Sequence, residues 1–146
     1  MASRYRITRA AYLASLNDFR EFIKEHCANM PGMNTEKLYD VQLAVDEACT
    51  NIISHGYAGL DPGSIILDLE VAYDKLIVSL TDFGHSFEPS SAPIPDVEAP
   101  IEEREQGGFG LFFIQQSMDE MDYQATEDGN KMILIKYLSK TDGGRQ

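Results

Sequence analysis

Ile65-Ile66-Leu67-Asp68-Leu69-Glu70-Val71-Ala72-Tyr73, then Asp74-Lys75, then Leu76-Ile77-Val78-Ser79-Leu80-Thr81-Asp82 is the stretch from which the fold can be read. Two runs rich in aliphatic and β-branched residues flank a two-residue polar turn, which is the pattern of an antiparallel hairpin. Asp61-Pro62-Gly63 just before it is a turn signal that separates the hairpin from what precedes. Toward the N-terminus, residues 3–9 alternate polar and apolar and predict a first strand at a sheet edge. From Ala11 to about Met30 the period changes to that of a helix, with Leu13, Leu16, Phe19, Phe22, Ile23 and Cys27 three and four residues apart; Pro31-Gly32 stops it. Asn34 or Thr35 can cap a second helix, with Glu36 in the first turn where the helix dipole favours an anion. That helix is expected to reach Ser54 and end near Gly56.

Beyond Asp82 the texture changes. Residues 83–107 contain Pro89, Pro93, Pro95 and Pro100, with Ser90, Ser91 and an acidic run from Glu98 to Glu105. A compact domain rarely keeps more than about 15 structureless residues unless they form a lid or a binding segment. A long mobile loop is therefore expected, closed by Gly107-Gly108-Phe109-Gly110 and followed by a third helix from Leu111 to about Met118. Strands near 122–126 and 131–138, with a turn at Asp128-Gly129-Asn130, complete the order β-α-α-β-β-loop-α-β-β. Consecutive hairpins make the sheet mainly antiparallel, and three helices are enough to cover one face. The fold class is α+β, a two-layer sandwich. Residues 1–140 are expected to form a single domain and 141–146 a disordered tail.

With 43% hydrophobic and 25% charged residues, the 146-residue chain has the composition of an ordinary globular protein. It holds no apolar run of the ~20 residues that a bilayer requires and no signal-peptide core, so a soluble, cytoplasmic protein is expected. A net charge of −12 argues against a nucleic-acid partner, which needs a cationic footprint, and is compatible with docking a basic protein. Cys27 and Cys49 lack CxxC spacing and read as reduced core thiols.

Three constellations could carry chemistry. In the second helix, Leu38, Val41, Val45, Ala48, Cys49 and Ile52 share one stripe, and Glu47 and Asn51 point away from it, one turn apart. A helical glutamate can act as a general base, and a carboxamide oxygen is a hard ligand suited to Mg²⁺; alone, the pair reads as a solvated polar face. Asp82-Phe83-Gly84 ends a buried-looking strand, where a carboxylate can accept from an exocyclic amine and a glycine admits a flat ring. His85 follows in loop texture without a visible partner. Gly107-Gly108-Phe109-Gly110 precedes a helix, whose free N–H groups and dipole favour phosphate. It is neither a P-loop nor a dinucleotide-binding fingerprint. In this order the elements supply a metal-and-base wall, an adenine contact, a cover and a phosphate cradle.

Together, Glu47-Ala-Cys-Thr-Asn51-Ile-Ile-Ser-His55-Gly56-Tyr57, Asp82-Phe-Gly84 and Gly107-Gly-Phe-Gly-Leu-Phe-Phe-Ile-Gln-Gln-Ser-Met118-Asp119-Glu120 resemble the anti-sigma-factor serine/threonine kinases. These belong to the ATPase superfamily that includes gyrase, Hsp90, histidine kinases and MutL. The resemblance covers nearly the whole chain. It implies a Bergerat-type ATP-binding fold, with Glu47 as the base that activates a partner's hydroxyl and Asn51 as the Mg²⁺ ligand. It also implies that Asp82 binds the adenine amine, that Gly84 makes room for the ring, and that Gly107, Gly108, Phe109, Gly110 and Leu111 lie along the phosphates under a lid from Pro89 to Gln106. The implied cofactors are ATP and Mg²⁺. The implied partners are a sigma factor, a STAS-domain antagonist and, as a homodimer, a second copy; neither nucleic acid nor membrane is bound directly. Ser86 stands where the family commonly has a glycine. A nucleotide-gated binding module without transfer, and a histidine-kinase-like ATPase domain acting in trans, are the competing readings.

Overall fold

The structure, a computed structural model, describes residues 3–86 and 108–138. Strand β1 (Ser3–Ala10) is followed by a 3₁₀ turn (Leu13–Ser15) and helix α1 (Leu16–Cys27). Helix α2 (Thr35–Asn51) runs into a π-helical turn (Ile52–Gly56). Strands β2 (Ser64–Val71) and β3 (Lys75–Asp82), helix α3 (Gly108–Ser117), and strands β4 (Glu120–Thr126) and β5 (Gly129–Tyr137) complete the described elements. They form one five-stranded sheet of order β1-β2-β3-β5-β4, every neighbouring pair being antiparallel. The expected α+β sandwich is therefore present, and β1 is an edge strand as its alternation predicts.

Period-two burial places the core. Ile65, Leu67 and Leu69 of β2, Leu76, Val78 and Leu80 of β3, and Met132 and Leu134 of β5 are buried on the helix side. Against them lie Phe19, Ile23 and Cys27 of α1 and the expected stripe of α2, Val41, Val45, Ala48, Cys49 and Ile52. Burying a side chain of this kind stabilises the fold by about 1.5–3 kcal/mol each. Three inward positions break the apolar rule: Asp82 at the end of β3, and Asn130 and Lys136 on β5, Lys136 being 8% exposed. Lys136 Nζ donates to Asp40 Oδ2 at 3.0 Å and to the Ser117 carbonyl at 2.6 Å, tying β5 to α2 and to the C-terminal end of α3.

Several boundaries differ from those expected. Helix α1 starts at Leu16 and not at Ala11, because the Ala11 N–H donates to the Gly63 carbonyl at 2.8 Å and keeps the chain extended past β1. It ends at Cys27, short of the Pro31-Gly32 stop. The start of α2 is capped as expected, with the Asn34 Oδ1 accepting from the Lys37 N–H at 2.7 Å. Strand β4 begins two residues early, at Glu120, and α3 begins at Gly108. Residues 129–130, expected in the turn, already belong to β5, where Asn130 faces Asp82. Gly129 takes φ 140°, a backbone conformation that glycine adopts readily. The lid segment from Pro89 to Gln106, Gly107 and the tail 141–146 lie outside the described residues. No helix among the described residues is long and apolar enough to cross a membrane.

Cys27 and Cys49 are free thiols, both fully buried in this core. Burial pushes the Cys27 thiol up to about 12. It pushes Cys49 up as well, with the charges of Asp46 and Asp82 adding to the effect.

Candidate functional site

Helix α2 is the wall to which the other pieces are fitted. It lies over the sheet through its apolar stripe and packs against α3 along its flank. Glu47 and Asn51 are half-buried and not on a solvated face, because Ala44 and Ala48 beside them are closed off completely. Burial raises the Glu47 pKa above the ordinary carboxylate range, and the neighbouring Asp46 charge raises it further. Among the described residues no cation contributes an opposing effect on Glu47. Asp46 points elsewhere, its Oδ2 accepting from Arg20 Nη2 at 2.7 Å and so joining α1 to α2. Its Oδ1 is shut off from solvent without a partner among the described residues.

Asn51 Nδ2 is likewise buried and unpartnered among the described residues. An orphaned buried amide is costly, about 1–3 kcal/mol, unless a ligand completes it. The two ends of a carboxamide are interchangeable in assignment, so the same position can present Oδ1 to a cation. The described residues hold no group of three or more His, Cys, Asp or Glu that could hold a metal ion. Asn51 therefore fits Mg²⁺ only as a single protein oxygen beside phosphate oxygens and water, which is how this ion is commonly held.

The second piece sits where β3 ends. Asp82 is 2% exposed, and its Oδ1 accepts from the Gly84 N–H at 2.9 Å and from Asn130 Nδ2 at 3.1 Å. Asn130 Nδ2 also donates to the Gly84 carbonyl at 2.9 Å. Gly84 is needed for close approach: a Cβ there would lie 2.1 Å from the Gly56 carbonyl oxygen. The room predicted for a ring is thus taken, on that side, by the backbone at the end of the π turn. His85 is exposed, as a solvated loop residue should be, but it is not without partners: its N–H donates to the Gly56 carbonyl, and Nε2 lies 3.1 Å from the Ala58 carbonyl. The Tyr57 hydroxyl donates to the Ser64 carbonyl at 2.8 Å and accepts from the Phe83 N–H at 2.9 Å. These bonds lock the exit of α2, the entry to β2 and the exit of β3 into one corner.

The third piece is the N-terminal end of α3, where the backbone of Gly108, Phe109, Gly110 and Leu111 is helical. Its first turn has N–H groups without intrahelical partners, and it carries no acidic side chain to fill them. Because α3 packs on α2, the helix carrying Glu47 and Asn51 also supports the helix that opens with the glycines. Asp82 joins the same wall from below: its Oδ1 would lie 3.6 Å from a Cβ on Gly56. Asn130 is the site residue that sequence reasoning missed. The signal was its register, since it shares the inward face of β5 with Met132, Leu134 and Lys136.

Glu47 also makes a testable contribution to stability. Its folded pKa lies above the unfolded value of about 4.3, so the folded state binds the proton more tightly. Stability from this group is present at low pH and is lost as pH rises through the window between those two values. Glu47→Gln should remove that part of the pH dependence without lowering the neutral-pH unfolding temperature. Thermal unfolding at a series of pH values checks it; a variant less stable than the parent at pH 7 would contradict the sign.

Residues 10–136 match the family described as the histidine kinase-like ATPase domain. The chain is 32% identical over 120 residues to the serine-protein kinase RsbW of Halalkalibacterium halodurans, covering 79% of this chain and 72% of that one. It is 30% identical over 120 residues to the serine-protein kinase RsbW of Oceanobacillus iheyensis, covering 79% and 75%. Among solved structures it resembles the RsbU and RsbW domains of a Mycobacterium tuberculosis protein, with TM-score 0.67 and 19% identity, over 93% of this chain and 32% of that one. A histidine kinase domain from the blue-light activated kinase of Erythrobacter litoralis aligns with TM-score 0.55 and 17% identity, over 86% of this chain and 60% of that one. At such identities the structural likenesses speak for the fold alone.

Proposed function

Since this chain belongs to the histidine kinase-like ATPase domain family and, like its curated relatives, is a protein serine kinase, we propose that it phosphorylates a STAS-type antagonist protein from Mg-ATP and sequesters a sigma factor. The observation that carries the catalytic part is Glu47, a half-buried carboxylate with a raised pKa, one helical turn from Asn51; among the described residues no cation opposes the raised pKa and no partner meets Asn51 Nδ2. A module that only gates binding with nucleotide has no use for such a group.

In this reading Asp82 accepts from the adenine amine, and the first turn of α3 receives the phosphates at Gly108, Phe109, Gly110 and Leu111, with Gly107 just before it. Gly84 holds the pocket floor against Gly56. Asn51 offers its carboxamide oxygen to Mg²⁺, which neutralises phosphate charge when bound. Glu47 takes the proton of the attacking seryl or threonyl hydroxyl. The new O–P bond forms as the bond between the β,γ-bridging oxygen and the γ-phosphorus breaks, and ADP leaves. Such a base typically supplies about 10²–10⁴-fold in rate. Residues 1–140 act here as one cytoplasmic domain working as a homodimer, without direct contact to nucleic acid.

Incubating the protein with Mg-ATP labelled at the γ-phosphate and the antagonist encoded beside it tests the reading. Phosphoserine or phosphothreonine on the antagonist is the expected product. If ATP binds and no phosphoprotein forms, the protein is the non-catalytic, nucleotide-gated regulator instead. Asp82→Asn should weaken ATP binding by roughly 10²-fold or more, because it sets an N–H₂ against the adenine amine or against Asn130. Calorimetric titration with ATP measures this, and an unchanged affinity would remove Asp82 from the base contact.

A further inference from the structure

We infer that Asn130 is a positioning residue that makes the Asp82 carboxylate selective for a purine bearing an exocyclic amine over one bearing a carbonyl. The inference rests on the proposed contact between Asp82 and the adenine amine, and it concerns what turns that carboxylate into a discriminating group. Asn130 lies directly across from Asp82 in the β3–β5 register, and it is 3% exposed. Its amide nitrogen has two protons, and two acceptors receive them: Asp82 Oδ1 at 3.1 Å and the Gly84 carbonyl at 2.9 Å. The orientation of the amide is therefore determined, since turning it over would set its oxygen against two other oxygens.

The consequence for Asp82 follows from lone pairs. Oδ1 accepts from both the Gly84 N–H and Asn130 Nδ2, which uses its acceptor capacity and fixes the torsion of the carboxylate. Both hydrogen bonds that the described residues make to Asp82 go to this oxygen. Oδ2 is the oxygen left to read the base, and it meets the base as an acceptor. An amine meeting it is bound. A carbonyl meeting it sets two acceptors face to face in a closed site. Sites of this hydrogen-bonding type discriminate far more strongly than apolar pockets do. Without Asn130 the carboxylate loses one of the two donors that hold it, and the Gly84 carbonyl loses its partner. The group is then free to turn, and Oδ2 no longer holds one direction against the base.

The test is direct binding, by calorimetry, of ATP and of inosine triphosphate, which carries a carbonyl where adenine has its amine. It uses the full chain and its Asn130→Ala and Asn130→Ser forms. The parent should prefer ATP by roughly 10²-fold. Asn130→Ala should lose about 10-fold in ATP affinity and keep its inosine triphosphate affinity within ~3-fold, so that the preference collapses. Asn130→Ser, which restores one donor, should fall between. Equal loss of both nucleotides, or no loss of either, would overturn the inference, since a merely structural residue changes them together. If Asn130→Ala shows no cooperative thermal transition, Asn130→Ser decides by the same ratio: a parent-like preference overturns the inference and a reduced one supports it. A parent with no preference for ATP would instead mean that Asp82 does not read the amine, which is failure of the underlying reading and is recognisable as such.

Discussion

Glu47→Gln is expected to bind Mg-ATP with an affinity within ~3-fold of the parent and to transfer phosphate about 10²–10⁴-fold more slowly. The substitution keeps volume and half-burial and removes only the ability to take a proton. Gln cannot take the proton of the attacking hydroxyl, whereas nucleotide binding draws on Asp82, Asn51 and the start of α3, none of which is altered. The raised pKa of Glu47 comes from burial first and Asp46 second. Its conjugate acid should therefore suppress transfer at a higher pH than an ordinary glutamate would, and the rate should climb with pH through the raised value. Single-turnover transfer measured beside ATP titration separates the two effects. Parent-like transfer by Glu47→Gln would show that the residue occupies the position of a base without acting as one.

Gly84→Ala should be the most damaging small substitution at the site. Its Cβ would stand 2.1 Å from the Gly56 carbonyl oxygen and 2.5 Å from that carbonyl carbon, both of them backbone atoms that cannot rotate aside. The exit of β3 would have to move off the exit of α2. The His85 to Gly56 hydrogen bond and the bonds of Tyr57 to Phe83 and Ser64 depend on that contact. Overpacking a closed contact costs about 3 kcal/mol, which for a chain of this size lowers the unfolding temperature by roughly 10 °C. ATP affinity should fall with it, because Gly84 supplies both a donor to Asp82 and an acceptor to Asn130. Gly56→Ala is the control from the other side of the same contact. Its Cβ meets Asp82 Oδ1 and Ile52 Cγ2 at 3.6 Å, an ordinary distance, and it should be nearly neutral in both measurements. Equal effects from the two substitutions would refute the account.

The architecture was legible because its periods are clean. Alternation in 65–82 and the three- and four-residue spacing of α2 survive into the structure as β2, β3 and the buried stripe from Val41 to Ile52. Glu47, Asn51, Asp82 and Gly84 could be picked out because polar or glycine residues interrupt those periods where a ligand could use them. What escaped depended on pairing between distant segments. Asp128-Gly129-Asn130 has turn chemistry in the sequence, and only the β3–β5 register places Asn130 across from Asp82. The π turn after Asn51 and the contact of Gly84 with Gly56 are likewise invisible locally, because each is set by how two backbones meet. Ala11 reads as the start of a helix until the Gly63 carbonyl across the edge is seen to hold it.

The two enclosed thiols have a kinetic meaning. Cys49 lies two residues beyond Glu47 in the wall of the site, and Cys27 lies in α1; both are free and without solvent exposure. With their pKa values raised, neither presents a thiolate to a reagent at neutral pH while the fold is closed. Alkylation then counts opening events, and the rate at Cys49 reports the opening of α2 itself. A nucleotide that binds only the closed form must slow that rate in proportion to its free concentration over its dissociation constant. The chain thus carries its own occupancy gauge, readable by mass spectrometry without any engineered label.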